Sequence, residues 1–150
     1  MNHRQQNLDD HGRIVVNGTL VNQGQIDIAA STGGSPSLLC QLDNRGTLNV
    51  SHPLTINKTS ALHVNTGTLT LATGATVTFA TGTLAWNGGS AGGGGTLAFS
   101  GATLNLGVGF SNAGIILSPS NTTVSGPGTL TNATGKTLLL AMKAAEEIPP

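Results

Sequence analysis

Apolar and small polar side chains alternate in short runs along most of the chain. Leu69/Leu71, Val77/Phe79, Leu84/Trp86, Leu97/Phe99 and Leu104/Leu106 are each separated by a single Thr, Ala or Asn. Alternation with period two puts one set of side chains on a buried face and the other in water, which is the pattern of a strand. The first apolar residues of successive runs are Leu48, Leu54, Leu62, Leu69, Val77 and Leu84, in steps of 6, 8, 7, 8 and 7. Three consecutive steps therefore cover 21, 23 or 22 residues. A strand of three to five residues and a corner, repeated three times per turn, predicts an all-β right-handed parallel β-helix with three sides and about 20–23 residues per turn. Each turn would stack on the last about 4.8 Å away, because no single turn can bury its apolar side alone. With Leu62 and Val64 taken as inward, His63 between them is expected to face out.

The tripeptide Gly-Thr-Leu marks the corners at Gly18, Gly46, Gly67, Gly82, Gly95 and Gly128, with near copies at Gly74 and Gly101. An antiparallel sandwich also has short strands and frequent turns, and Asn17-Gly18 and Asn87-Gly88 are possible hairpin turns. Most corners read Ala-Thr-Gly or Asn-Thr-Gly instead, and seven or eight residues per repeat leave too little strand for a sandwich. Two excursions break the rhythm: Asn87–Gly95, expected to be a flexible loop of Gly and small residues, and Ala30–Ser37. Pro36, Pro53, Pro119 and Pro127 are expected at corners or strand starts, where a missing N–H costs no ladder bond. The organisation that follows is a polar N-terminal segment or cap over residues 1–13, a β-helix over 14–140, and a C-terminal tail or short helix over 141–150.

Composition and charge then narrow the function. Only 8% of the residues are charged and 3% aromatic, with 22 Gly, so a thin core filled layer by layer with Leu, Val, Ile and Ala is expected rather than a thick one. From Thr59 to Gly135 the only titratable side chain is His63. That stretch lacks the clustered Lys or Arg that phosphate binding requires, which argues against a nucleic-acid groove. The apolar run Leu138–Met142 is too short to span a bilayer, so no membrane insertion by this chain is expected. MNHRQQNLDDHG at the start has no apolar core of a signal peptide, so an exported protein would carry its signal elsewhere. Cys40, the single cysteine, reads as a small buried apolar residue.

No motif carries chemistry. Gly135-Lys136-Thr137 resembles the end of a phosphate-binding loop, but the glycine required five residues earlier is Leu130. The glycines at 92–95 lead into a strand without dinucleotide spacing. Glycoside chemistry needs paired carboxylates, or a carboxylate cluster holding calcium. Asp27 should face outward between Ile26 and Ile28, with no second carboxylate spaced to join it on the next turn. His3 and His11 with Asp9 and Asp10 match no standard metal spacing. We therefore expect no catalytic, cofactor-binding or metal-binding residue. Asn-x-Ser/Thr sequons at Asn17, Asn49, Asn57, Asn121 and Asn132 are expected by chance in a chain this rich in Asn and Thr. The Thr-x-Thr pairs Thr68/Thr70, Thr76/Thr78 and Thr129/Thr131 suggest the flat faces of ice-binding solenoids, but Thr68 and Thr76 should fall on successive faces, which spoils a regular rank.

Asn17-Gly-Thr-Leu-Val-Asn-Gln-Gly-Gln-Ile26 and Gly126-Pro-Gly-Thr-Leu-Thr-Asn-Ala-Thr-Gly135, with their Asn-x-Gly corners, resemble the passenger domains of autotransporters and filamentous-haemagglutinin-like bacterial adhesins. The resemblance covers residues 14–140. It implies a non-catalytic structural and binding module, a section of a secreted or surface-displayed stalk on the bacterial outer membrane. Its partner would be a carbohydrate or a cell-surface protein, with end-to-end self-association through uncapped ends as a further expectation. A β-helical carbohydrate-active enzyme and an ice-binding or self-assembling solenoid are the alternatives.

Overall fold

The computed structural model describes residues 13–29 and 36–140, with the backbone alone at 13–16. Of the polar segment or cap expected over residues 1–13, all but Arg13, which begins the first strand, lies outside the described residues, as do the tail or helix over 141–150 and most of the Ala30–Ser37 excursion. The chain is a parallel β-helix of about five turns. Its first layer is β1 (Arg13–Asn22) and β2 (Gln25–Ile28), its second β3 (Ser37–Asn44) and β4 (Thr47–Val50). Three strands per layer follow: β5 (Leu54–Ile56), β6 (Leu62–Asn65) and β7 (Thr68–Leu71), then β8 (Thr76–Phe79), β9 (Thr83–Trp86) and β10 (Ser90–Gly92). The next layer holds β11 (Thr96–Ser100), β12 (Thr103–Leu106) and β13 (Phe110–Ser111), and the last β14 (Ile116–Ser120), β15 (Thr123–Ser125) and β16 (Leu130–Thr131).

Registers give the repeat directly. On the first face Arg13, Ser37, Thr55, Thr78, Ala98 and Ser118 lie above one another. On the second, Asp43, Val64, Ala85, Asn105 and Ser125 do, at intervals of 21, 21, 20 and 20. On the third, Gln25, Thr47, Thr68 and Ser90 are separated by 22, 21 and 22. Every pairing between strands is parallel; an isolated bridge between Ala72 and Gly94 is antiparallel. The long strands β1 and β3 run straight across the first two faces and join them into one sheet.

Inside, like side chains stack on like. Leu54, Val77, Leu97 and Leu117 form one column, and Leu38, Ile56, Phe79 and Phe99 another, all at most 2% exposed. The third face adds Leu48 on Leu69 and Val50 on Leu71. Full burial of each such aliphatic side chain is worth about 1.5–3 kcal/mol. Phe79 and Phe99 stack with ring centroids 5.4 Å apart, and Trp86 meets Phe110 edge-on at 4.7 Å. Cys40 belongs to this core, fully buried, and burial raises its thiol pKa.

Three expectations need correction. His63 faces inward with no exposed surface, while Leu62 is 50% exposed. The phase of β6 is set by Asn65, which must turn in to join the corner amides described below, and period two then carries His63 in with it. The Gly-rich stretch Asn87–Gly95 is no plain loop, because Ser90–Gly92 is β10, paired on the third face with β7. Positive φ at Gly88, Gly89, Gly93 and Gly94 lets the chain turn into and out of that strand. Pro119 sits within β14, opposite Phe99 in register, where the strand has a partner on only one side among the described residues. At Asn17-Gly18, a hairpin turn in the sandwich alternative, β1 runs straight through, with a register shift between Val15 and Thr19.

Candidate functional site

The corner between the second and third faces is built from Asn-x-Gly. Asn22, Asn44 and Asn65 stack as buried rungs, 5%, 1% and 2% exposed. The Asn22 Nδ2 donates to Asn44 Oδ1 at 2.7 Å, and the Asn44 Nδ2 donates to Asn65 Oδ1 at 2.9 Å. The same amides reach the turning backbone, from Asn22 to the Thr47 carbonyl at 2.9 Å and from Asn65 to the Gly88 carbonyl at 3.1 Å. Two residues beyond each rung, Gly24, Gly46 and Gly67 form their own column, and a Cβ on Gly46 or Gly67 would collide with the carbonyl of the glycine below. Trp86 takes the next rung, opposite Asn65. A second pair, Asn112 and Asn132, links at 2.8 Å at another corner. The Asn-x-Gly corners are visible in the sequence, but their function as an internal amide ladder becomes evident only when the intervals of 22 and 21 between the three asparagines are set beside the turn length.

His63 lies on β6 two residues before Asn65 and faces inward with it. Its Nδ1 accepts the Leu42 N–H at 3.0 Å, so the ring proton resides on Nε2. That Nε2 is buried and has no partner among the described residues. The ring tilts against Phe79 at 5.3 Å. Burial among these groups lowers the His63 pKa to about 4, which keeps the imidazole neutral. Sealed from solvent, it cannot reach a substrate.

The outward faces carry uncharged hydroxyls and amides, with few ions. Asp27 faces out as expected, and its partner on the next turn is an amide, Asn49 Nδ2 at 3.0 Å, joined by Gln25 Nε2 at 3.0 Å. Asp43 is held by Arg45 at 2.7 Å. Among the described residues no three His, Cys, Asp or Glu side chains gather as a metal site. Thr68 and Thr76 fall on different faces, while Thr83, Thr103 and Thr123 stack on the second face in three successive layers. Gly135-Lys136 closes a small turn after the last strand, the Lys136 N–H donating to the Ala133 carbonyl at 3.0 Å. Of the sequon asparagines, Asn17, Asn57, Asn121 and Asn132 are exposed.

A cleft lies on the surface beside the corner after β5. Asn17, Gly18 and Thr19 of β1, Gln41 of β3 and the corner Lys58–Ala61 enclose about 200 Å³ open to solvent. No protein-family model, no curated protein and no solved structure matches the chain.

Proposed function

We propose that the chain is a non-catalytic structural and binding module, a length of stalk from a secreted or surface-displayed bacterial protein of the adhesin type. The observation that carries this reading is the distribution of chemistry across the coil. Stacked Leu, Val, Ile and Phe fill the inside, and the outer rows are mostly Thr, Ser, Asn and Ala in register, interrupted by the exposed Leu62 and Ile116, without a carboxylate pair on adjacent turns among the described residues. Such a surface offers hydroxyl and amide donors at strand spacing, suited to adhesion through many weak polar contacts to a carbohydrate or a cell-surface protein. The two described aspartates are each engaged by amides or by Arg45 and not by a second carboxylate, which is what the acid–base work of a glycosidase would require.

The test combines retention and turnover. The purified chain is immobilised and exposed to a panel of bacterial and host polysaccharides, and released reducing ends are measured in parallel. Retention of at least one polymer without release supports the reading. Catalytic release of reducing ends overturns it in favour of a carbohydrate-active enzyme.

A further inference from the structure

The cleft arises from a mismatch between two layers. Between the pairs Leu38↔Ile56 and Asp43↔Val64, β3 spends residues 39–42 while the layer above spends 57–63. The surplus residues project as an overhanging corner, closed by the Ala61 N–H on the Lys58 carbonyl at 3.2 Å and strained at Ser60, whose φ is 63°. Two side chains stand in for the missing ladder. The Leu62 N–H donates to Gln41 Oε1 at 2.8 Å, and Leu42 N–H is taken by His63. Gln41 is tied at its other end too, its Nε2 donating to Thr19 Oγ1 at 3.0 Å. The wall of the cleft is thereby fixed before any ligand arrives, which lowers the ordering cost of binding.

Its chemistry has one sign. Among the described residues lining the cleft Lys58 is the one that carries a charge, and the others with polar side chains are Asn17, Thr19, Gln41, Thr59 and Ser60. The described carboxylates are engaged elsewhere, Asp43 by Arg45 and Asp27 by Gln25 and Asn49. A volume of about 200 Å³ holds about six waters at ~30 Å³ each, or one sugar ring. We infer that this cleft is a binding site for a small polyhydroxylated carboxylate of the uronate class, with the carboxylate on Lys58 and the ring hydroxyls on Asn17, Thr59 and Ser60. The inference rests on the binding-module reading for its sugar component; the cleft itself does not depend on that reading.

Amide chemical shifts of the full chain test it. Titration with D-glucuronate is expected to move the Thr19, Thr59, Ser60 and Ala61 resonances saturably in the millimolar range. D-glucose and acetate, each carrying half of the chemistry, are expected to bind at least ~tenfold more weakly, and Lys58→Met to weaken glucuronate by ~tenfold or more. A spectrum of Lys58→Met that is otherwise unchanged shows that the coil is intact, as expected for a corner side chain. Absence of shifts at these amides, equal binding of glucose, or undiminished binding by Lys58→Met overturns the site. If the chain still retains a polysaccharide in that case, the stalk reading survives and only the cleft falls.

Discussion

Replacing Asn44 by Ala removes the middle rung of the corner ladder, and the structure allows the cost to be worked out bond by bond. Asn44 Oδ1 accepts from Asn22, and Asn44 Nδ2 donates to Asn65 Oδ1 and, at 3.2 Å, to the Thr68 carbonyl. Asn22 keeps its bond to the Thr47 carbonyl, so that its loss is partial. Asn65 Oδ1, on a side chain 2% exposed, loses its donor and water cannot readily replace it. A stranded buried polar group costs about 1–3 kcal/mol, which sets the floor. Adding the lost bonds to Asn22 and Thr68 brings the expected destabilisation to about 2–4 kcal/mol, a large share of the ~5–15 kcal/mol that holds an ordinary domain together. Urea unfolding of both proteins, followed by far-ultraviolet circular dichroism, measures the difference. The double substitution Asn44→Ala/Asn65→Ala should cost clearly less than the two single ones added together, since each already breaks the shared bond. A loss below about 0.5 kcal/mol for Asn44→Ala, within the range of ordinary surface changes, would refute the view that these amides act as a buried, mutually satisfied ladder.

Gly67→Ala should destabilise by about 1–3 kcal/mol, since its Cβ would meet the Arg45 and Gly46 carbonyls, whereas Gly18→Ala, with open space around it, should stay within about 0.5 kcal/mol in the same urea experiment. His63 supplies a pH dependence whose sign follows from its lowered pKa. The unfolded chain takes up a proton near pH 6.5 and the folded chain only near 4, so stability is fully present above about 6.5 and declines as pH falls towards 4, by about 2–3 kcal/mol at ~1.4 per unit. His63→Leu should flatten that slope, and an unchanged slope would place the imidazole in water. Cys40, fully buried with a raised pKa, should resist a thiol-specific disulfide reagent in native buffer and react only as denaturant unfolds the chain; rapid native labelling would contradict its place in the core.

Much of the architecture was legible because burial on a strand has an unambiguous period. Leu48, Leu54, Leu69, Val77 and Leu84 all point inward as their alternation indicates, and the intervals between them already contain the turn. The phase of β6 was not legible, because Leu62 and Val64 are more apolar than His63 and Asn65. What overrules hydrophobicity there is a long-range amide bond to Asn44, one turn below, which no local window contains. The same holds for β10, where Ser90-Ala91-Gly92 has almost no strand propensity of its own and is held by the β7 edge beneath it. The cleft was equally hidden, since it depends on how many residues two successive layers spend between the same pair of corners.

The chain has one tryptophan, and its position gives that residue an experimental consequence. Trp86 is sealed at 2% exposure against Phe110, in the upper layers and above the asparagine rungs. Its emission therefore monitors the upper layers, while circular dichroism averages over every strand. In a stack whose layers touch only their neighbours, any difference between the two unfolding curves would reveal which end of the rod frays first.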